Sequence, residues 1–172
     1  MRCSSDNTKN VFLVFHRKDL LYDIGNNSYI QGDVMDAKDE HERHQVMDVC
    51  QDGNVDRATR ILNLAFQECV NMLHSYTKED VAEETSLDNG FGAPDIYEMR
   101  LVVPVDFSKG TVELLKNLIH EYMVCRVMED WLSLTHKPAQ PVWEEKVKVL
   151  NGKILSCMNA RGGKIRRPLK PF

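Results

Sequence analysis

The stretch 106-DFSKGTVELLKNLIHEYMVCRVMEDWLSLTH-136 decides the fold. Its apolar residues recur every three or four positions: Val112, Leu115, Leu118/Ile119, Tyr122, Cys125, Met128 and Trp131/Leu132. That spacing lines one face of a long helix over 111–135. Val124 and Val127 widen the apolar face, so the helix is expected to be central, with neighbours on two sides. Ser108 or Thr111 is placed to cap it, and the proline-bearing THKPAQP stops it. The same period resumes through Trp143, Val147, Leu150, Ile154 and Met158, giving a helix over 142–159. The connection is short, so the two helices should form an antiparallel hairpin.

Working outward, 54–77 reads as a third helix, with Val55, Ala58, Leu62, Ala65/Phe66, Cys69, Met72/Leu73 and Tyr76 on one face. Asn54 is its expected N-cap, and Asp56 suits the first turn. Between these helices, 79–96 is acidic, aperiodic and long for a loop, which fits an interactive segment. YEMRLVVPV (97–105) alternates Tyr97, Met99, Leu101 and Val103 against Glu98, Arg100 and Val102, as a strand does, with Pro104 at its end or edge. Before residue 54 the pattern predicts two short extended pieces, 11–15 and Tyr29 with Ile30, around the turn-rich GNNS. A polar connector follows, in which 36–50 has room for a short helix. The expected fold class is mainly α: a three-helix-core bundle with a few short β-strands and extended terminal arms. The expected divisions are a strand-containing N-terminal arm and acidic connector (1–53), a helical connector-like domain (54–160) and a basic C-terminal docking arm (161–172).

The 172 residues are enough for one domain with a real core, and 42% apolar with 28% charged residues is a globular composition. No window of 18 uncharged apolar residues offers a membrane span. VFLVF is cut off by HRKD after five residues, unlike the apolar core of a signal peptide. Five cysteines form no CxxC pair; Cys69 and Cys125 fall in helical stripes, as free buried thiols in a reducing compartment would.

The net charge of −4 hides a polarised chain: about +1 over 1–32, −11 over 33–98, +1 over 99–160 and +5 over 161–172. The +5 belongs to Arg161, Lys164, Arg166, Arg167 and Lys170, punctuated by Ile165, Leu169 and Phe172. An acidic body repels a nucleic-acid duplex, and no aromatic series offers base stacking. A terminal arm crossing onto an acidic neighbour, the 33–98 surface of the next identical subunit in a head-to-tail ring, is the better electrostatic account, with charges steering and the three apolar residues anchoring. A solvated chain end and non-specific nucleic-acid contact are the competing readings.

Catalytic motifs are not evident. His120–Glu121 begins an HExxH pattern, but the second histidine position is Val124. His41 and His44 could share a metal if helical, with Cys50 nearby, yet the usual paired completion is missing. The pairs Glu129/Asp130 and Glu144/Glu145 sit where helices show solvated faces. ARGGK lacks the ending of a phosphate loop, and no GxSxG occurs. The expectation is a protein without catalytic, cofactor or metal residues.

LLYDI, EHERHQVMDVCQDGNVDRATRILNLAFQECV, YTKEDV, YEMRLVVPVDFSKGTVELLKNLIHEYMVCRVMEDWLSLT and RRPLKPF together resemble small proteins encoded in phage and prophage structural-gene regions of gut bacteria. The functional class this resemblance implies is the head–tail connector, or neck, protein of tailed bacteriophages. Such proteins are mostly helical adaptors that form rings between portal and tail, with loops and terminal arms reaching neighbours. The resemblance implies identical subunits, portal and tail proteins as partners, and a virion location after assembly in the host bacterial cytoplasm. The strands depart from an all-helical connector. The alternative is a small intracellular protein that binds nucleic acid or a partner through its basic tail.

Overall fold

A computed structural model of the chain describes residues 8–36, 40–79, 82 and 84–159. Strand β1 (Thr8–His16) leads directly into helix α1 (Arg17–Val34), followed by α2 (Glu40–Met47) and a 3₁₀ turn (Asp48–Cys50). Helix α3 (Val55–Met72), the one-turn α4 (His74–Thr77), strand β2 (Ile96–Pro104), α5 (Lys109–Thr135) and α6 (Gln140–Asn159) complete the described chain. No helix among the described residues is long and apolar enough to cross a membrane.

The expected hairpin is present: α5 and α6 pack along their lengths. Ser108 occupies the N-cap position of α5 in extended conformation, without a side-chain capping bond. The central part of α5 buries Tyr122, Met123, Val124, Cys125, Val127 and Met128 in near-continuous succession. A helix buried on this many sides needs several neighbours, and α5 touches α1, α2, α3 and α6. Asn54 stands at the N-cap of α3, but its Nδ2 donates to the Asp48 carbonyl at 2.9 Å instead of capping the helix.

The helix expected over 54–77 is interrupted at Leu73, which turns into the core. Thr77 Oγ1 donates to the Val70 carbonyl at 2.8 Å, securing the short α4 against the end of α3.

β1 and β2 form an antiparallel two-stranded sheet, pairing Thr8 with Pro104 and His16 with Ile96. Period-two alternation sends Leu13, Phe15, Tyr97, Met99, Leu101 and Val103 into the core and leaves Phe12, Val14, Ile96 and Val102 outside. The Phe66 and Tyr97 rings, with centroids 5.3 Å apart, join α3 to the sheet's inner face.

Three expectations need correction. Tyr29 and Ile30 are not extended but lie within α1. GNNS reads as a turn by composition, yet Leu20, Ile24, Ser28 and Gly32, four apart, make the buried face of a helix. The small residues admit α2: a Cβ on Gly32 would stand 2.8 Å from Met47 Cγ and 3.2 Å from the Arg43 carbonyl oxygen. Ser28 satisfies its own hydroxyl by donating to the Gly25 carbonyl at 2.9 Å. Tertiary contact thus overrides local turn preference.

The core is also more than three helices. One hydrophobic cluster runs from Leu13, Leu20 and Ile24 through Val46 and Val49 to Met158, so α1, α2 and the sheet share it with α3, α5 and α6. For the same reason, the described residues before 54 are not an extended arm: Leu13, Phe15, Leu20, Ile24, Val46 and Val49 are buried.

Candidate functional site

Several of the polar groups that could do chemistry are paired with one another. Tyr122 donates to Glu68 Oε2 at 2.8 Å, and Arg126 bridges Glu68 at 3.3 Å and Glu129 at 3.0 Å. Burial works against the Arg126 charge, but Glu68 and Glu129 outweigh it and hold the guanidinium more firmly protonated than usual. Burial also pushes the Tyr122 hydroxyl pKa up, and donation to Glu68 adds to the effect.

Asp130 takes two hydrogen bonds from Arg57, at 2.9 and 3.0 Å. Glu129 and Asp130 are therefore not on a freely solvated face: they tie α5 to itself and to α3. On α6, Glu144 does accept an exposed bond from Lys148 at 2.6 Å.

The thiols are equally restrained. Cys50, Cys69, Cys125 and Cys157 are free, and burial raises the pKa of each. Cys125 is pushed up to about 11, which keeps it protonated and a poor nucleophile at neutral pH. Cys50 donates to the Leu21 carbonyl at 3.2 Å. His41 and His44 do share the short helix α2, where His41 Nε2 lies 3.0 Å from Gln45 Nε2. Among the described residues no group of three or more His, Cys, Asp and Glu is arranged to hold a metal.

His120 Nε2 lies 2.7 Å from Asp23 Oδ2, a part-exposed pair that links α5 to α1. Beside it His16, Asp19, Lys116 and Asn117 line a cleft of about 280 Å³. A larger groove of about 740 Å³ opens between α5, α6 and Asn27 of α1, over Cys125, Trp143, Val149 and Leu150. Trp143 Nε1 donates to Gln31 Oε1 at 3.3 Å, and Lys146 Nζ stands 3.9 Å from the centre of its ring. The groove is an apolar surface with charges at its rim.

The arm residues Arg161, Lys164, Ile165, Arg166, Arg167, Leu169, Lys170 and Phe172 lie outside the described residues. Of the acidic loop, the C-terminal part is pinned: Asn63 donates to the Gly92 carbonyl at 2.8 Å, Arg60 stands 4.7 Å from the Phe91 ring centre, and Arg17 pairs with Asp95 at 3.3 Å. Leu87, by contrast, is exposed.

Two apolar surfaces emerge that the sequence did not disclose. One is the outer sheet face, with Phe12, Val14, Ile96 and Val102; the other is the outer face of α1, with Tyr22, Tyr29, Ile30 and Val34. The signal for the second was the spacing of these residues, legible only once 17–34 is known to be a helix. No family model, curated protein or solved structure matches this chain.

Proposed function

We propose that this chain is a non-enzymatic structural subunit of a tailed-phage virion, a head–tail connector forming a ring of identical copies in the neck. Its other partners are the portal and tail proteins, and it assembles in the host bacterial cytoplasm without cofactor or membrane. The carrying observation is that, among the described residues, large apolar side chains are exposed at two separate places, the outer sheet face and the outer side of α1, with Glu98, Arg100, Asn26 and Asp33 among them. Contiguous exposed apolar surface marks interaction sites. A head-to-tail ring needs two different surfaces per subunit, because each copy meets its two neighbours differently. The polarised charge, −11 over 33–98 against +5 over 161–172, gives such a contact direction.

Native mass spectrometry and negative-stain imaging test the reading, on the chain alone and with its portal protein, together with proteomics of the particles. The expected species is a ring of roughly a dozen copies with closed symmetry. A chain that stays monomeric in both settings and is absent from every particle overturns the proposal. A low-salt polarisation titration with duplex DNA adds a second check: saturable binding that disappears on removing 161–172 would favour a nucleic-acid role instead.

A further inference from the structure

The sheet has only two strands, so β1 and β2 each keep one edge that no other strand covers among the described residues. In an antiparallel pair, alternate residues turn both backbone groups toward the partner, and the residues between them turn both away. Burial decides which are which. Leu13, Phe15, Met99 and Leu101 are at most 3% exposed, out of reach of water. Buried N–H and C=O groups are bonded, and theirs have no backbone partner outside the sheet. They are therefore spent between the strands. Asn10, Phe12 and Val14, all exposed, then present their N–H and C=O groups at the outer edge of β1.

The two edges are not alike. Folded proteins guard an exposed strand edge with proline, charge, a bulge or a covering element. β2 ends at Pro104, carries Glu98 and Arg100, and has α4 packed against it. β1 lacks these guards. Its register with β2 runs unbroken from Thr8–Pro104 to His16–Ile96, and NVFLVF (10–15) contains neither proline nor charge. Lys9 is folded back, its ammonium donating to the Val105 and Phe107 carbonyls at 3.1 Å each. Arg100, opposite Phe12, is drawn aside to Asn10 Oδ1 at 3.2 Å, and Phe12 stays 56% exposed. Beside Val14 a cleft of about 280 Å³ separates the strand from Lys116 and Asn117 of α5.

We propose that the outer edge of β1 pairs with β1 of a second copy, antiparallel about a twofold axis at Phe12, to give one four-stranded sheet across a dimer. The chemistry of an open strand edge sets what it binds: an extended strand, which supplies the matching row of donors and acceptors. This chain's own β1 meets that need. Centred on Phe12, residues 8–16 overlap their copy completely, with room for about ten backbone hydrogen bonds. No charge meets a like charge: Lys9 falls opposite the second copy's Phe15, Asn10 opposite its Val14, and Phe12 meets Phe12. A twofold contact requires a self-complementary patch of this kind. The outer face gains as well, because the exposed Phe12 and Val14 of both copies become one cross-strand apolar cluster. The inference does not rest on the ring reading: a plain dimer and two rings stacked about twofold axes satisfy it alike.

The test is a charge swap at position 12 of the full chain, where the side chain is exposed enough to change without touching the core. Sedimentation and native mass spectrometry follow the wild type, F12E, F12K and an equimolar mixture of the two variants. Circular dichroism checks that each is folded. The wild type should associate into species with even numbers of copies. F12E and F12K each set like charges against one another on the axis and should weaken pairing at least tenfold. Their mixture should recover it as one-to-one F12E/F12K pairs. I30E, on the outer side of α1, should leave the pairing unchanged. A wild type that stays monomeric at about 1 mM overturns the proposal. Pairing that survives in both single variants, or a mixture that pairs no better than its components, overturns it too. Pairing lost in I30E but kept in F12E would assign the contact to α1 and reject the strand edge.

Discussion

Replacing Gly32 with alanine restricts the unfolded chain as much as the same change at Gly25 or Gly152. At an open helical position such a change stabilises by about 0.5–1 kcal/mol. None of the three has a positive φ, so the backbone accepts alanine at each. The surroundings differ. At Gly152 the new methyl meets nothing within 4 Å, and at Gly25 it makes an ordinary 3.7 Å contact with Cys50 Sγ. At Gly32 it would stand 2.8 Å from Met47 Cγ, 2.9 Å from Met47 Cε and 3.2 Å from the Arg43 carbonyl oxygen. Cγ is close to the backbone and the carbonyl belongs to it, so α2 must move. Overpacking of this kind costs about 1–3 kcal/mol, more than the helical gain. G32A should therefore destabilise by about 1 kcal/mol net, while G25A and G152A stabilise by about 0.5–1 kcal/mol. For a chain of this size 1 kcal/mol moves Tm by about 2–4 °C. Melts followed by circular dichroism should separate G32A from G152A by about 3–8 °C, with urea midpoints moving the same way at constant slope. If G32A melts at or above the wild-type temperature, the close α1–α2 contact is refuted, and with it the packing reason given for α1.

Thr59 is buried in α3 and its Oγ1 has no hydrogen-bond partner. T59V keeps the shape and removes the stranded hydroxyl, so it should raise stability by about 1 kcal/mol; a lower urea midpoint would contradict this. On the alkaline side, burial pushes Tyr97 from 10.0 to about 12 and Cys125 from 9.0 to about 11. Both hold their protons more tightly folded than unfolded. Their contribution is thus complete below the ordinary values, and drains away as pH rises through 9–10 toward 11–12. Urea midpoints should fall between pH 8 and pH 10.5, and a flat profile would rule out this linkage.

What the sequence disclosed depended on how locally each pattern was written. Helix α5 is marked by its unbroken apolar length, while helix α3 and strand β2 carry a single dominant period, so Ala58–Leu62–Ala65–Cys69 or Tyr97–Met99–Leu101 identifies the element unaided. α1 does not: Leu20 and Ile24 point inward while Tyr22, Tyr29 and Ile30 point outward, and superposing the two sets erases the periodicity. Its Gly25, Asn26, Asn27 and Ser28 then read as a turn, because the partner that needs small residues, Met47, lies on another element. The pairing of β1 with β2 was hidden for a similar reason, since register between distant strands leaves no local mark. Of the candidate surfaces, the composition of the arm was legible, whereas the exposed Tyr22, Tyr29 and Ile30 required knowing which side of α1 faces out.

The sheet also orders events in time. β1 is made before the other described elements, but Thr8 must wait for Pro104 and His16 for Ile96 before either finds its partner. At about 5–20 residues per second that delay is on the order of ten seconds. Throughout it, the side chains of Leu13 and Phe15, later buried under the sheet, have no β2 beside them. α1 and α2, lying between the strands in sequence, can form and meet first. β1 is thus paired only after α1, α2 and α3 have been made. Until then the nascent chain carries an unpaired apolar edge that a second nascent copy, or a chaperone, can reach before β2 does.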